Sequence, residues 1–182
     1  MRLRLALLAL AAAVGGTALW VVAGRAHRPG SAAWRAVDRD LAARFSDVPT
    51  VTTGELADRL AAGEAPLLLD ARTPAEHGVS HLPGARRVDP DATAAELADA
   101  LAGVDRERAV VVYCSVGVRS AAIARRLMGA GFDRVENLEG SLFRWANEGR
   151  PVVRDGQPVE AVHPYDAVWG KLLAPEARAD LP

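Results

Sequence analysis

Short apolar runs alternate with helical stretches through the middle of this chain. The two most apolar runs, "PLLLD" and "AVVVY", are continuous rather than alternating in hydrophobicity. A strand with this composition is buried on both faces, as in a parallel sheet. Helices between such strands supply the crossover connections that parallel pairing requires. The sequence therefore predicts an α/β fold with a parallel β-sheet and helices on both faces.

The predicted elements follow one another in regular order. Strands are expected at about 50–51, 67–69, 85–88, 109–113 and 135–138, and helical stretches at 53–63, 73–79, 91–103, 120–131 and 141–149. Hydroxyl side chains are favoured N-caps because they accept a hydrogen bond from the first turn. We expect Thr53 to cap the first of these helices and Ser141 to cap the last.

The amino-terminal segment has the pattern of a membrane-spanning helix. Arg2 and Arg4 precede an uncharged run at 5–24, and Arg25 and Arg28 follow it. Such a helix matches the ~30 Å hydrocarbon layer of a bilayer. The run is longer than the apolar region of a cleaved signal peptide and lacks a good cleavage site, which favours an uncleaved anchor. We expect a membrane-anchored protein whose domain is extracytoplasmic (periplasmic). The alternatives are a cytoplasmic domain or secretion after signal cleavage.

Four regions are expected along the 182 residues. Residues 1–30 form the signal anchor or signal peptide with a linker, 31–48 a connecting helix, 49–155 the α/β domain, and 156–182 a C-terminal tail. Apolar residues of the tail recur at helical spacing: Tyr165, Val168, Trp169, Leu172 and Leu173. This face can pack on the domain or on the connecting helix, rest on a membrane surface, or bind a partner.

The only cysteine of the chain stands directly after the most apolar strand. It is Cys114, in the stretch "YCSVGVRS", with Gly117 and Arg119 close behind it. A lone cysteine is most often a small buried apolar residue, and it excludes a disulfide within the chain. Its place at the carboxyl end of a parallel strand, however, is where sites form in sheets of this class.

The loop that follows Cys114 has the composition of a thiolate-stabilising turn. Gly117 permits a sharp turn whose N–H groups point inward and form an anion-binding concavity. The next helix adds the positive end of its dipole, and Arg119 adds a fixed charge. Such settings lower a cysteine pKa from about 8.5 to between about 3.5 and 7.5. The sequence predicts a nucleophilic thiolate directed at an anion such as thiosulfate, sulfite or phosphate.

Three segments resemble the markers of the rhodanese family of sulfurtransferases. The stretch "YCSVGVRSA" resembles its active-site loop, Cys-x-x-Gly-x-Arg-Ser/Thr. The stretch "LLLDARTPAEHGVSHLPGAR" resembles a strand followed by Asp-x-Arg, Glu and a Gly-His-Ile-x-Gly-Ala turn, with Ser80 in place of the usual glycine. The stretch "VENLEGSLFRWANEGRPV" resembles the family's closing strand and helix. Together these segments run from Val51 to Val153 in the family's order.

The resemblance implies a rhodanese-like fold and a two-step sulfur transfer. Cys114 is the implied nucleophile, which takes sulfur from thiosulfate or a similar small anion and passes it to a thiol or protein acceptor. No metal or organic cofactor is implied. The implied substrate-binding residues are Ser115, Val116, Gly117, Val118, Arg119 and Ser120. Asp70 and Arg72 are expected to form a supporting ion pair, and Glu76 is expected only to support the turn after it.

Other functions stay open at this stage. A non-catalytic or carrier rhodanese-like module is one alternative, although such modules often lack the cysteine that this chain keeps. A cysteine phosphatase, or an arsenate reductase on this fold, is another. The phosphatases have one more residue in the loop than the four between Cys114 and Arg119, and a histidine where this chain has Tyr113. The net charge of −1 gives no reason to expect a nucleic-acid partner.

Overall fold

A parallel sheet forms the centre of the protein in the computed structural model, which describes residues 31–180. Within these residues its strands are β1 (Thr50–Val51), β2 (Leu67–Asp70), β3 (Arg86–Arg87), β4 (Val110–Tyr113) and β5 (Val135–Leu138). They lie in the order β1-β5-β4-β2-β3, and every neighbouring pair is parallel. An antiparallel hairpin of β6 (Val152–Arg154) and β7 (Gln157–Val159) stands apart from this sheet. The predicted α/β fold with a parallel sheet is confirmed.

Helices connect the strands and cover the sheet. They are α1 (Ala32–Arg44), α2 (Thr53–Ala61), α3 (Pro74–Val79), α4 (Ala94–Ala100), α5 (Val118–Gly129) and α6 (Ser141–Asn147), with two short 3₁₀ turns at Trp169–Leu172 and Pro175–Ala177. Successive side chains of a strand point to opposite faces. In β4, Val111 and Tyr113 accordingly join an apolar cluster on one face, while Val110 and Val112 join a second cluster on the other. Both faces of the sheet are therefore buried, as its continuous apolar strands predict.

Two predicted helix caps are corrected by one residue each. Thr52, not Thr53, caps α2, because its side chain accepts from the Glu55 N–H and the Glu55 carboxylate reaches back to the Thr52 N–H. Gly140, not Ser141, precedes α6 and has a left-handed backbone with φ 68°. Ser141 is instead the first residue of that helix, and its hydroxyl is engaged elsewhere, as described below.

The C-terminal segment packs on the domain but does not form the α-helix that its spacing suggests. Leu172 and Leu173 are buried in the same apolar cluster as Trp34 and Val37 of α1. The backbone of Tyr165 is left-handed, with φ 66°, which an α-helix does not allow. After this residue the segment forms two short 3₁₀ turns in place of the α-helix.

The described part of the chain, residues 31–180, contains no helix long and apolar enough to cross a membrane. Its longest helix, α1, has 13 residues and so extends about 20 Å, against the ~30 Å of a hydrocarbon layer. This finding contradicts the predicted membrane-anchored localisation. The segment to which the span was assigned, residues 1–30, lies outside the described residues.

Candidate active site

The candidate site lies where two central strands end side by side. Cys114 follows β4 directly, and Asp70 ends β2 opposite Tyr113 in the parallel register. Helix α5 begins at Val118, a residue or two earlier than expected, so the turn that carries the cysteine is short. Gly117 has φ 113°, a conformation that side-chain-bearing residues rarely adopt. The sequence thus places Cys114 at the expected carboxyl edge of the sheet.

The backbone of this turn is held by the start of α6. The N–H groups of Leu142 and Phe143 donate to the carbonyls of Cys114 and Ser115, at 3.1 and 3.0 Å. The N–H of Cys114 donates to the Ser141 hydroxyl at 3.1 Å, and that hydroxyl donates to the Leu138 carbonyl at 3.1 Å. These bonds satisfy buried backbone groups and fix the position of the cysteine.

The Cys114 thiol is buried, with 1% of the residue exposed, and it is surrounded by groups that favour its ionised form. The Gly117 N–H donates to Sγ at 3.1 Å. Burial by itself raises the pKa of this thiol. The charge of Arg119 and the polar groups of Ser120 and Gly117 outweigh burial, so the pKa of Cys114 lies below its ordinary value. The site therefore favours a thiolate nucleophile.

Arg119 is held by Glu76 through two parallel hydrogen bonds. Its Nη1 and Nη2 donate to the two carboxylate oxygens at 2.8 and 2.7 Å, and the Ser115 hydroxyl donates to the same carboxylate at 2.9 Å. Burial raises the pKa of Glu76, but the hydrogen bonds and charge of Arg119, with the amide and hydroxyl of Thr73, lower it to about 2. Glu76 stays ionised at neutral pH and is not available as a proton donor.

The role of Glu76 goes beyond the one expected from the sequence. Glu76 does support its own turn, since Thr73 and Glu76 form a capping box at the start of α3. Its carboxylate also positions Arg119, 43 residues further along the chain. The signal available in the sequence is the capping-box spacing of Thr73 and Glu76 directly after the strand that ends at Asp70, whereas the position of that strand beside the Cys114 strand comes from the structure.

Asp70 and Arg72 form a fully buried ion pair that does not reach Cys114 itself. Arg72 donates to both oxygens of Asp70, at 2.8 and 2.6 Å, and to the Ser80 carbonyl at 2.6 Å. The Tyr113 hydroxyl donates to Asp70 at 2.8 Å and accepts from the Leu82 N–H at 3.1 Å. Burial raises the pKa of Tyr113 well above its ordinary value, so this hydroxyl stays protonated. The network fixes the strand ends on which the cysteine turn stands.

A pocket of about 180 Å³ opens onto Cys114. Its lining residues are Asp40, Arg44, Cys114, Ser115, Val116, Val118, Arg119, Tyr165 and Trp169. Most of the predicted substrate-binding residues are therefore brought together. Gly117 contributes its N–H, whereas the Ser120 hydroxyl donates to Asn137 at 2.6 Å.

Two parts of the pocket wall were not foreseen. Asp40 and Arg44 come from α1, and Tyr165 and Trp169 come from the C-terminal segment. A larger cavity of about 440 Å³ lies beside α1, around Ala121 and Asn137, but its lining includes no cysteine, histidine, lysine or arginine. The small pocket, not the large one, therefore holds Cys114.

Residues 52–148 match the Rhodanese-like domain family. A sulfurtransferase of Allochromatium vinosum is 35% identical over 106 residues, covering 58% of this chain and 95% of that protein. A probable adenylyltransferase/sulfurtransferase of Mycobacterium tuberculosis is 33% identical over 112 residues, which are 62% of this chain but only 28% of that protein. The chain therefore spans less than a third of that relative.

Solved structures show the same fold. A rhodanese-like domain protein from Staphylococcus aureus superposes with a TM-score of 0.51 at 26% identity, covering 59% of this chain and 99% of that one. A thiosulfate sulfurtransferase from Pseudomonas aeruginosa gives a TM-score of 0.56 at 24% identity, covering 66% of this chain and 23% of that one. At that identity the second similarity is one of fold alone.

Proposed function

We propose, because this chain belongs to the rhodanese-like domain family, that it is a sulfurtransferase that carries sulfane sulfur as a persulfide on Cys114. The donor is thiosulfate or a similar small sulfur-containing anion. The acceptor is a thiol, a protein thiol or another thiophile such as cyanide. Two relatives whose names include sulfurtransferase activity support this proposal.

The state of Cys114 is the observation that carries the proposal. Cys114 is the single cysteine of the chain and lines a small pocket. The pKa of its thiol is lowered by Arg119 and by polar groups of the turn. A thiolate is the form that attacks sulfur, and a preorganised ring of donors stabilises charge on the attached atom. A structural cysteine in an apolar core has a raised pKa and lacks these donors.

In the first step the Cys114 thiolate attacks the outer sulfur of thiosulfate. A new S–S bond forms as the bond between the two sulfur atoms of thiosulfate breaks, and sulfite leaves with that electron pair. The enzyme is left with a persulfide anion on Cys114, and no proton is required. The Gly117 N–H, which donates to Sγ of the free thiol, and the charge of Arg119 beside it favour negative charge on the sulfur atoms at this position.

In the second step a thiophilic acceptor attacks the outer sulfur of the persulfide. The bond to Cys114 breaks, the acceptor leaves with one more sulfur atom, and the thiolate is regenerated. Ser115 and Glu76 hold Arg119 in place through both steps. Residues 49–155 are proposed to form the catalytic domain, between a connecting helix at 31–48 and a tail at 156–182.

Intact-mass measurement after incubation with thiosulfate tests the proposal. The wild-type protein is expected to gain the mass of one sulfur atom and to lose it on addition of cyanide, with release of thiocyanate. The Cys114→Ser variant is the matched control and is expected to gain nothing. A wild-type mass unchanged by thiosulfate, and by other sulfane-sulfur donors, would overturn the proposal in favour of a non-catalytic module.

A further inference from the structure

Part of the lining of the Cys114 pocket comes from segments outside the matched family region. Residues 52–148 supply five of the nine lining residues, and the other four are Tyr165 and Trp169 of the C-terminal segment and Asp40 and Arg44 of α1. Elements outside the shared domain therefore help to shape the pocket that holds the cysteine.

The C-terminal segment is fixed on the domain, so its aromatic side chains are held in place. Leu173 is fully buried. The side-chain amide of Asn147 donates to the Leu172 carbonyl at 2.8 Å and accepts from the Ala174 N–H at 2.7 Å. The Asp166 carboxylate accepts from the Trp169 N–H at 2.7 Å. These contacts anchor the segment on the far side of the pocket wall.

Tyr165 is placed directly over the arginine of the cysteine turn. The Arg119 guanidinium lies 4.8 Å from the centre of the tyrosine ring, within the range of a cation–π contact. The left-handed backbone of Tyr165, φ 66°, is uncommon for an aromatic residue, and its N–H donates to the His163 ring at 3.0 Å. Tyr165 is 44% exposed, and these two contacts hold it over Arg119 at the edge of the pocket.

The size of the pocket limits what can reach the sulfur. Its volume is about 180 Å³. Pockets for drug-sized ligands start at about 300 Å³. A small anion or a slender thiol fits this volume, whereas a cysteine on the surface of a folded protein would bring its neighbouring side chains against Tyr165 and Trp169.

We propose that Tyr165 and Trp169 form a size filter that restricts the sulfur acceptor at Cys114 to small thiophiles. The proposal rests on the proposed function and names the class of its second substrate. The acceptor thiolate enters the pocket past these two residues and attacks the outer sulfur of the persulfide. The bond from that sulfur to Cys114 breaks, the acceptor leaves as its own persulfide, and Cys114 returns as a thiolate.

Alkylation of the single cysteine tests the filter without requiring sulfur transfer. We expect iodoacetamide to react with Cys114 in the wild type and fluorescein maleimide to react far more slowly. In Tyr165→Ala the rate with fluorescein maleimide, divided by the rate with iodoacetamide, is expected to rise about tenfold, because removing the ring opens the wall. Tyr165→Phe keeps the ring and should match the wild type. Val168→Ala, an exposed residue of the same segment outside the pocket lining, is the matched control.

A comparison of a small and a protein sulfur acceptor then tests the proposal during sulfur transfer. Cyanide and reduced thioredoxin are offered to the Cys114 persulfide, and the wild type is expected to prefer cyanide. Tyr165→Ala, or Trp169→Leu as a second variant, should shift that preference toward thioredoxin. If folded variants left both the alkylation ratio and the preference between acceptors unchanged, the filter would be overturned. A wild type that already prefers thioredoxin would overturn it as well. A wild type that forms no persulfide overturns the proposed function, while the alkylation ratio still decides whether the filter exists.

Discussion

The guanidinium of Arg119 and the carboxylate of Glu76 meet in a planar pair with two hydrogen bonds, 2.8 and 2.7 Å long. The carboxylate side chain is 3% exposed and the arginine side chain 23%, so the pair is largely shielded from water. The same arginine lowers the pKa of Cys114. Glu76 therefore acts on the cysteine indirectly, by fixing the position of the positive charge beside it.

Replacement of Glu76 tests the contribution of the Glu76–Arg119 pair through acid stability. A carboxylate whose folded pKa is about 2, against an ordinary value of 4.5, stabilises the folded state above about pH 4.5 and loses that effect as the pH falls toward 2. The full contribution is about 3 kcal/mol. We expect Glu76→Gln to be less stable at pH 7 and to show a flatter loss of stability between pH 5 and 2 in urea titrations.

The matched control is Glu96→Gln. Glu96 closes the same kind of capping box, with Thr93, but it is exposed and forms no ion pair with an arginine in the described structure. If Glu96→Gln lost as much stability and as much pH dependence as Glu76→Gln, the helix cap would account for the effect of Glu76, and the Arg119 pair would not.

Replacement of Arg119 is expected to raise the pKa of Cys114. In Arg119→Gln the charge that opposes burial is removed, so the thiolate forms only at higher pH. The rate of alkylation by iodoacetamide, measured against pH, should have its midpoint displaced upward. Arg119→Lys retains the charge and should show a smaller displacement. An unchanged midpoint in the glutamine variant would mean that the turn alone ionises the thiol.

The sequence was sufficient for features that depend on neighbouring residues. Continuous apolar runs predict the parallel strands, and the spacing of Gly117 and Arg119 after Cys114 predicts a turn that gathers around the thiol. These are local properties of backbone conformation and periodicity. The sheet is confirmed, and the turn has the positive φ that Gly117 predicts.

Features that depend on residues far apart in the sequence were missed or were predicted only in part. Glu76 and Arg119 are 43 positions apart and meet only because β2 and β4 are neighbours in the sheet, an order that periodicity does not determine. The apolar spacing of the C-terminal segment indicated a packed face but not its backbone. Its left-handed Tyr165 contacts Arg119, 46 positions earlier in the chain, in addition to its local hydrogen bond to His163.

The buried Asp70–Arg72 pair is expected to be critical for stability. Asp70→Asn leaves the fully buried guanidinium of Arg72 without a counter-charge, which costs about 3–5 kcal/mol. Urea unfolding at pH 7 measures this loss. Asp47→Asn breaks the Asp47–Arg125 pair, which is about half exposed, and serves as the control. Comparable losses in both variants would contradict a special role for the buried pair.

Gly117→Ala is expected to damage both the fold and the cysteine turn. Its φ of 113° strains any residue with a side chain, and the new Cβ would lie 3.0 Å from Cδ1 of Leu41. We expect a loss of about 2–3 kcal/mol in unfolding free energy. Because the Gly117 N–H donates to Cys114, persulfide formation should also slow in the protein that remains folded.

Gly129→Ala separates this positional effect from the general effect of replacing a glycine. Gly129 ends the same helix, and an added Cβ there meets nothing within 4 Å. Alanine has a higher helix propensity than glycine by up to about 1 kcal/mol, so this variant should be neutral or more stable. Its rate of persulfide formation should equal that of the wild type. If Gly117→Ala matched Gly129→Ala in both measurements, the left-handed turn would not be what orients the N–H groups toward Cys114.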